Sequence, residues 1–415
     1  MHPDFRAAFN RAFSPALARG QAAGLARRAG REPGFRLAET PVFLTRELEE
    51  RLVAASHGIL AQLSRPETVA RLRRFVPPEW DTPGMDALPS IAQVDLAVTR
   101  AADGSLEPKL VELQGFPSLS AFEVLQADAW EAALEGIPGL PTGGWSPYFS
   151  GLGRASFLDL FRRTVVAGHD PETVVLLDLR PERQKTAVDF DATRRLLGVE
   201  AVCATEVEKE GRRLYRRKGG RRVPIERIYN RVVFDELARS GDRLPFDFRD
   251  DLAVEWAPHP NWFWAFSKAA LPLLDHPAAP RARTLDALAA LPSDLESGWV
   301  LKPLFSFAGG GVNVEPTGAD VAAVPAAERD RWCLQERIDY APALEAADGG
   351  GVKVEIRMMF FRPDAEPSFT LGLNLCRLSR GKMHGVDFNR DFTWVGSSVA
   401  LRPAGGWPEP DTRGA

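Results

Sequence analysis

Two runs with period-two alternation, IAQVDLAVT and PKLVELQ, flank the dipeptide Asp103-Gly104. That pattern is the strongest short-range mark of a β-hairpin. A two-residue turn at Asp103-Gly104 sets Asp95 opposite Glu112 and Gln93 opposite Gln114. Directly opposed Cβ atoms lie roughly 4.5–5.5 Å apart, so two carboxylates so placed repel unless a cation or a proton sits between them. Glu112 and Gln114 also share a face. Two acids and an amide oxygen converging on one point are hard oxygen ligands of the kind Mg²⁺ takes beside nucleotide phosphates. The plainer alternative is a solvent-exposed hairpin with scattered acids, and Pro108 could bring a bulge that shifts the register.

A second stretch, WVLKPLFSFAGGGVNVEP from Trp299, places Lys302 in an apolar run and then three consecutive glycines. Glycine supplies positive φ without steric cost, so the run can be a permissive turn. It can equally be a loop whose backbone N–H groups approach phosphate oxygens while Lys302 neutralises charge. It is not a Walker loop, because GxxxxGK[ST] is absent and strand pattern lies on both sides. The six histidines show no HxxxH or HExxH spacing and read as structural or surface residues.

With 415 residues and 45% hydrophobic content the chain can bury a large core, and its length predicts two or three lobes. Lys+Arg 52 against Asp+Glu 56 gives a net charge of -4, so no global basic field exists to hold nucleic acid or anionic lipid. The local basic cluster RRLYRRKGGRR reads as a charged edge protecting a hairpin. Three widely spaced cysteines, Cys203, Cys333 and Cys376, suit a reducing compartment without disulfides. The N-terminus has no uninterrupted apolar core, and no run approaches the roughly 18 apolar residues of a membrane span. The reading is cytoplasmic.

The pattern predicts amphipathic helices from Phe5 to about Ala29 and from Thr45 to Phe75, then the hairpin, then a helix over SAFEVLQADAWEAAL. After the link GIPGLPTGGWSP come a helix around FLDLFRRTVVAG and TVVLLDL, a buried parallel strand. DFDATRRLLG is its crossover helix, VEAVCATE the next strand, and RRLYRRKGGRRVPIERIYNRVV a hairpin turning at Gly219-Gly220. A helix over WFWAFSKAALPLL precedes strands WVLKPLFSF, VNVEP, RWCLQERI, VKVEIRMMFF and PSFTLGLNLCRLS. The expected organisation is an N-terminal helical segment (1–88), a part carrying the metal hairpin (89–165), an α/β substrate domain (166–255), nucleotide-binding lobes (256–402) and a flexible tail (403–415). The fold class is α+β with an α/β insert.

These residues resemble the ATP-grasp ligases, and within them the circularly permuted glutathionylspermidine synthetase-like group, from about Phe35 to Arg377. The sharpest segment is VDLAVTRAADGSLEPKLVELQGFPSLSAFE, similar to the family's aspartate, hairpin, acid-x-Asn pair, Pro-Thr or Pro-Ser, and acid-bearing helix. The resemblance implies a circularly permuted ATP-grasp fold with an α/β pre-ATP-grasp-like domain and ATP and Mg²⁺ as cofactors. Asp95 and Glu112 match metal ligands. Gln114 stands where asparagine is usual, and Gln93 replaces an arginine used near the phosphates. WFWAFSKAALPLLDHP resembles the segment carrying the first nucleotide lysine, making Lys268 the first and Lys302 the second. The loop with Ser306, Gly309, Gly310 and Gly311 follows as the phosphate lid. CLQERI resembles the hinge strand whose backbone pairs with adenine, so Gln335, Glu336 and Arg337 are candidates. Arg377 matches a late arginine beside the transferred phosphate, with Arg357 ranked below it.

The implied reaction is amide formation by an ATP-dependent carboxylate–amine ligase: a carboxylate attacks the γ-phosphoryl group, and an amine displaces phosphate from the acyl phosphate. Lys302 and Arg377 would be catalytic. Asn230 and Arg231 are candidates for substrate contact, and Asp387 with Asn389 an alternative metal pair of an unpermuted arrangement. The alternatives are a degenerate ATP-grasp that binds nucleotide without ligating, a phosphotransferase of the same architecture, and, least supported, a nucleic-acid binder.

Overall fold

The computed structural model describes residues 1–305, 310–381, 389 and 391–407. Ser306, Gly309, Asp387 and the tail from 408 lie outside the described residues. The chain is a mixed α+β protein with several sheets. The largest is six-stranded. Its strands run Gly396–Ser398, Thr370–Ser379, Gly351–Phe361, Ile91–Arg100 and Leu106–Gln114 in spatial order, with Leu344–Glu345 added to Gly351–Phe361. Every pairing in it is antiparallel. The early hairpin is thus hydrogen-bonded to the late strands of the chain.

The two faces of this sheet differ because of the alternation in Gly351–Phe361. Val352, Val354, Ile356, Met358 and Phe360 point into the main core with Val94, Leu96, Leu110 and Leu113. Met359 and Phe361 join a second core under the helix Ser120–Leu134, while Glu355 and Arg357 on that same face carry charge into the interior. The helix is the one SAFEVLQADAWEAAL predicts, residue for residue.

The hairpin pairs Asp95 with Glu112 and Gln93 with Gln114 as expected, but by another route. Its turn is a three-residue loop: Gly104 at φ 84° donates to the Ala101 carbonyl, and Ala101 donates to Ser105. Near the turn the pairing is therefore one residue off the expected register, with Leu96 opposite Leu110. A bulge between Leu110 and Glu112 inserts Val111 and restores it. The bulge also lets Leu110 and Leu113, three apart, both face the core.

A separate four-stranded parallel sheet has the order Glu255–Ala257, Arg227–Asn230, Val174–Asp178, Glu200–Cys203, with the crossover helix Ala187–Leu197. The expected long hairpin is cut short here. Arg213–Lys218 and Arg221–Ile225 form it, but Arg227–Asn230 leaves to pair in parallel with Val174–Asp178. WFWAFSKAALPLL is likewise not one helix: a single turn, Trp262–Ala265, gives way to a 3₁₀ segment, Lys268–Leu273, containing Pro272. A third sheet runs Ala282–Thr284, Trp332–Glu336, Trp299–Pro303. VNVEP contributes only a bridge, Leu301 to Asn313. All three cysteines are free and buried, and among the described residues no helix is long and apolar enough to cross a membrane.

Asp189 ties the parallel sheet's crossover helix to the helix Ser120–Leu134. Its carboxylate, fully buried, accepts from the backbone N–H groups of Leu119, Ala121 and Phe122 at the start of Ser120–Leu134, and pairs with Arg231 at 2.9 Å. Three N–H groups that a helix start leaves without intrahelical partners are met by one side chain from elsewhere in the fold. Asp189→Ala should cost about 3–5 kcal/mol, because it strands a buried guanidinium and those amides. Denaturant unfolding should show a lowered midpoint with an unchanged slope.

Candidate functional site

The charged face of the central sheet forms a row across four strands. Arg357 lies directly across from Asp95, Glu355 directly across from Arg377, and Asp95 across from Glu112. Arg357 grips Asp95 bidentately, Nε to Oδ1 at 2.6 Å and Nη2 to Oδ2 at 2.7 Å. Arg377 also donates to Asp95 and pairs with Glu355 at 2.5 Å. Tyr340 donates to the other Glu355 oxygen at 2.6 Å. Burial alone would push the Asp95 carboxyl up, but the two guanidiniums outweigh it and hold the group below the usual carboxylate range. Arg377 is driven further toward its charged form: burial opposes this, and Glu355 and Asp95 override it.

The cation required between the opposed acids is therefore supplied by the protein. Asp95 is 0% exposed and both its oxygens are taken by arginines. Glu112 faces a different cation, Lys268, at 3.7 Å. Among the described residues no group of three or more His, Cys, Asp or Glu could hold a metal ion. Asp95 thus does not fit the role of a Mg²⁺ ligand beside Glu112 and Gln114. A buried ion pair of this kind costs about 3–5 kcal/mol when one partner is withdrawn. Gln114 has a buried side-chain oxygen without a hydrogen-bond partner, and so does Gln93, whose amide nitrogen donates to the Ser118 carbonyl at 3.1 Å.

Lys268 reaches the hairpin because Gly115 permits it. A Cβ at Gly115 would lie 2.5 Å from the Trp262 carbonyl and 2.8 Å from Phe266 Cβ, and the Gly115 N–H donates to the Phe266 carbonyl at 2.7 Å. This close approach docks the Trp262–Ala265 turn onto the hairpin's end and delivers Lys268 to Glu112. Lys302 comes from the third sheet. Its ammonium is buried and donates to Gln335 Oε1 at 2.8 Å, a neutral acceptor on the adjacent strand. Burial pushes its pKa down, against the pull of Cys333 and Glu112. Glu112, Gln114, Lys268, Asp235, Leu304 and the rings of Phe116, Phe263, Trp264 and Phe305 line a cavity of roughly 30 Å³, about one water. Asp235 is a residue that sequence reasoning missed; it lies in the parallel-sheet unit at Phe234–Ser240, just past the candidates Asn230 and Arg231 but within no motif.

The other predicted residues fall as follows. Gln335 faces Lys302, but Glu336 points the other way and pairs with Arg281. The backbone N–H groups of Glu336 and Arg337 are donated to the carbonyls of Arg281 and Gly298, so neither amide is free to pair with a purine edge. The Arg337 side chain meets Asp339 at 3.3 Å. Gly310 and Gly311 are exposed, and Gly311 at φ 71° turns back against Pro303. Asn389 Oδ1 accepts from the backbone of Arg380 and Gly381. Asn230 and Arg231 are buried: Asn230 accepts from Val232 N–H, while Arg231 holds Asp189 between the rings of Phe116 and Phe190. Six of the seven cations of the basic hairpin pair with acids. Arg212 pairs with Asp251, Arg216 and Lys218 with Glu200, Arg217 with Glu208, Arg221 with Glu172 and Arg222 with Glu210.

No family model matches the chain and no curated protein matches it. Among solved structures it is similar to a glutathione synthetase-like effector from Globodera pallida in its apo form, with a TM-score of 0.54 at 11% identity, covering 94% of this chain and 98% of that one. At that identity the likeness shows the fold.

Behind the charged row, Glu123 on Ser120–Leu134 is fully buried. Burial, then the nearby Asp189 charge, pushes its carboxyl well above the ordinary value of 4.5. The folded state therefore binds a proton that the unfolded chain has released, so stability is lost as pH rises above the unfolded value. Glu123→Gln should leave the protein as stable as wild type or more so at pH 7. Urea midpoints measured from pH 4.5 upward should show less decline in the variant, and an equal decline in both proteins would remove Glu123 from this role.

Proposed function

We propose that the chain is a circularly permuted ATP-grasp protein that binds ATP in the cleft between the early hairpin and the Lys302 strand, and uses it as an ATP-dependent carboxylate–amine ligase. The observation that carries this reading is Lys302: a buried ammonium whose hydrogen bond goes to a neutral amide oxygen, near enough to Glu112 and Lys268 at the cleft wall to feel both charges. A buried cation is costly unless paired, and a phosphate oxygen would supply the charge Gln335 lacks. The likeness to a glutathione synthetase-like fold supports the same reading.

In the ligase chemistry, a substrate carboxylate attacks the γ-phosphorus and ADP leaves, giving an acyl phosphate. An amine then attacks the acyl carbon, inorganic phosphate leaves and the amine's proton passes to solvent. The protein's task is positioning, charge neutralisation and exclusion of water. Lys268 and Lys302 hold phosphates, and Arg377, 36% exposed at its side chain, faces the developing charge. The aromatic walls Phe116, Phe263, Trp264 and Phe305 keep the cleft dry. A cleft with room for about one water must open to admit a nucleotide, as lid-gated sites do.

Binding without ligation is the second reading, favoured by one observation: Asp95 is saturated by two arginines and cannot serve as a metal ligand in that state. ATP should raise the melting temperature of the wild type, and Lys302→Met should weaken ATP affinity roughly 10-fold or more, the worth of a charge-assisted hydrogen bond. ADP release on addition of pooled carboxylates and amines supports the ligase; ATP binding without ADP release supports the second reading. An unchanged ATP response in Lys302→Met contradicts both.

A further inference from the structure

We infer that the recess between the helix Phe234–Ser240 and the loop 241–254 is a second ligand site, and that it takes a small organic amine: an ammonium carried on an aromatic or aliphatic body. The site is separate from the cleft beside Glu112 and does not rest on the nucleotide reading above. One helix borders both, with Asp235 lining the cleft and Leu237 and Ala238 lining the recess.

Its size and walls suit such a ligand. The recess has a volume of roughly 680 Å³, within the range of small-molecule sites and far beyond the one-water cleft. Trp80, Leu237, Phe246 and Phe248 make its apolar wall. Phe246 and Phe248 are buried and meet edge to face at 5.3 Å, and Trp80 lies 6.3 Å from Phe248, so the wall belongs to the packed core of the parallel-sheet unit and stands preformed. The rim is held as well. Lys209, on the strand Glu208–Glu210, grips Asp250 at 2.7 Å, and the Asp247 N–H donates to Asp250 Oδ2 at 2.9 Å.

The polar groups of the lining select the sign of the ligand. Both lining cations already have acids of their own: Lys209 holds Asp250, and Arg249 holds Asp247 at 2.6 Å. Two lining carboxylates remain, Glu79 and Asp242. Glu79 forms no ion pair among the described residues, and Arg249 feels its charge only behind those of Asp247 and Asp250. Asp242 gives Oδ1 to Arg180 at 2.5 Å, while its Oδ2 is buried without a hydrogen-bond partner.

With Arg180 counted from outside the lining, four carboxylates stand against three cations. Arg243, next to Asp242 in the chain, is exposed and outside the lining. A buried acceptor without a donor is costly, and a ligand N–H would meet it. Acids set beside aromatic side chains favour an ammonium twice over, by charge-assisted hydrogen bonds and by attraction to the rings, and they disfavour carboxylates and phosphates.

Isothermal titration of the full chain with tryptamine tests this, with tryptophol, which carries a hydroxyl in place of the ammonium, as the neutral probe. Glu79→Gln and Ala238→Trp are the site variants, both at exposed positions where neither change disturbs the core. Tryptamine is expected to bind, with tryptophol weaker by roughly 10-fold or more, the worth of a charge-assisted contact. Glu79→Gln should weaken tryptamine several-fold, and Ala238→Trp, which fills the recess, should abolish its binding. No binding of tryptamine at millimolar concentration, tryptophol binding as tightly, or tryptamine affinity unchanged in either variant overturns the inference. Hydrogen–deuterium exchange locates the ligand independently: tryptamine should protect the segments 79–80 and 237–250, and protection confined to 110–116 and 299–305 would place it in the other cleft and overturn the inference.

Discussion

A carboxylate buried at the centre of the six-stranded sheet, Asp95, ties distant parts of this chain together. It comes from the first quarter of the chain, while Arg357 and Arg377, which neutralise it, come from the last. An unpaired charge at that depth is prohibitively costly. The sheet can therefore close only when the early hairpin lies beside Gly351–Phe361, and the same closure sets Glu112 on the adjoining edge. From that edge the cleft follows: Gly115 admits the Trp262 turn, the turn brings Lys268, and Leu304, just past the third sheet's Trp299–Pro303, joins the wall, with Lys302 in electrostatic reach of Glu112.

The row of charges also explains why a strand such as Gly351–Phe361 can be apolar on one face and mixed on the other. Val352 through Phe360 feed the main core, whereas Glu355 and Arg357 interrupt an otherwise apolar face between Lys353 and Met359. Each is paired: Glu355 with Arg377 and Tyr340, Arg357 with Asp95. Buried polar groups satisfied in this way fix one register, since a slip of a single residue would turn Arg357 and Asp95 to opposite faces.

Much of this was legible in the sequence, and the failures have physical causes. Period-two alternation exposed the hairpin strands and the long C-terminal strands, and the Ser120–Leu134 helix was readable to its ends. The opposition of Asp95 and Glu112 was legible only because two local departures cancel, a three-residue loop and the bulge at Val111. The spacing of Leu110 and Leu113, which breaks strict alternation, was the available sign of that bulge. What the alternation could not tell was which cation would sit at Asp95, because an arginine some 260 residues away and a metal ion satisfy the same electrostatic demand. The helix expected over Trp262 to Leu274 failed because its apolar residues face tertiary partners, such as Asp86 on the Trp262 indole, instead of forming one stripe. Asp235 carried no motif and became visible only through folding.

The central claim is that residues around the hairpin's end and residues around Lys302 form one anion-binding cleft. Hydrogen–deuterium exchange with and without ATP tests it most directly. The account predicts that ATP slows exchange together in the segments 110–116 and 299–305, at the same ATP concentration dependence. Protection confined to one of these segments, or appearing only on the parallel-sheet unit, would contradict it.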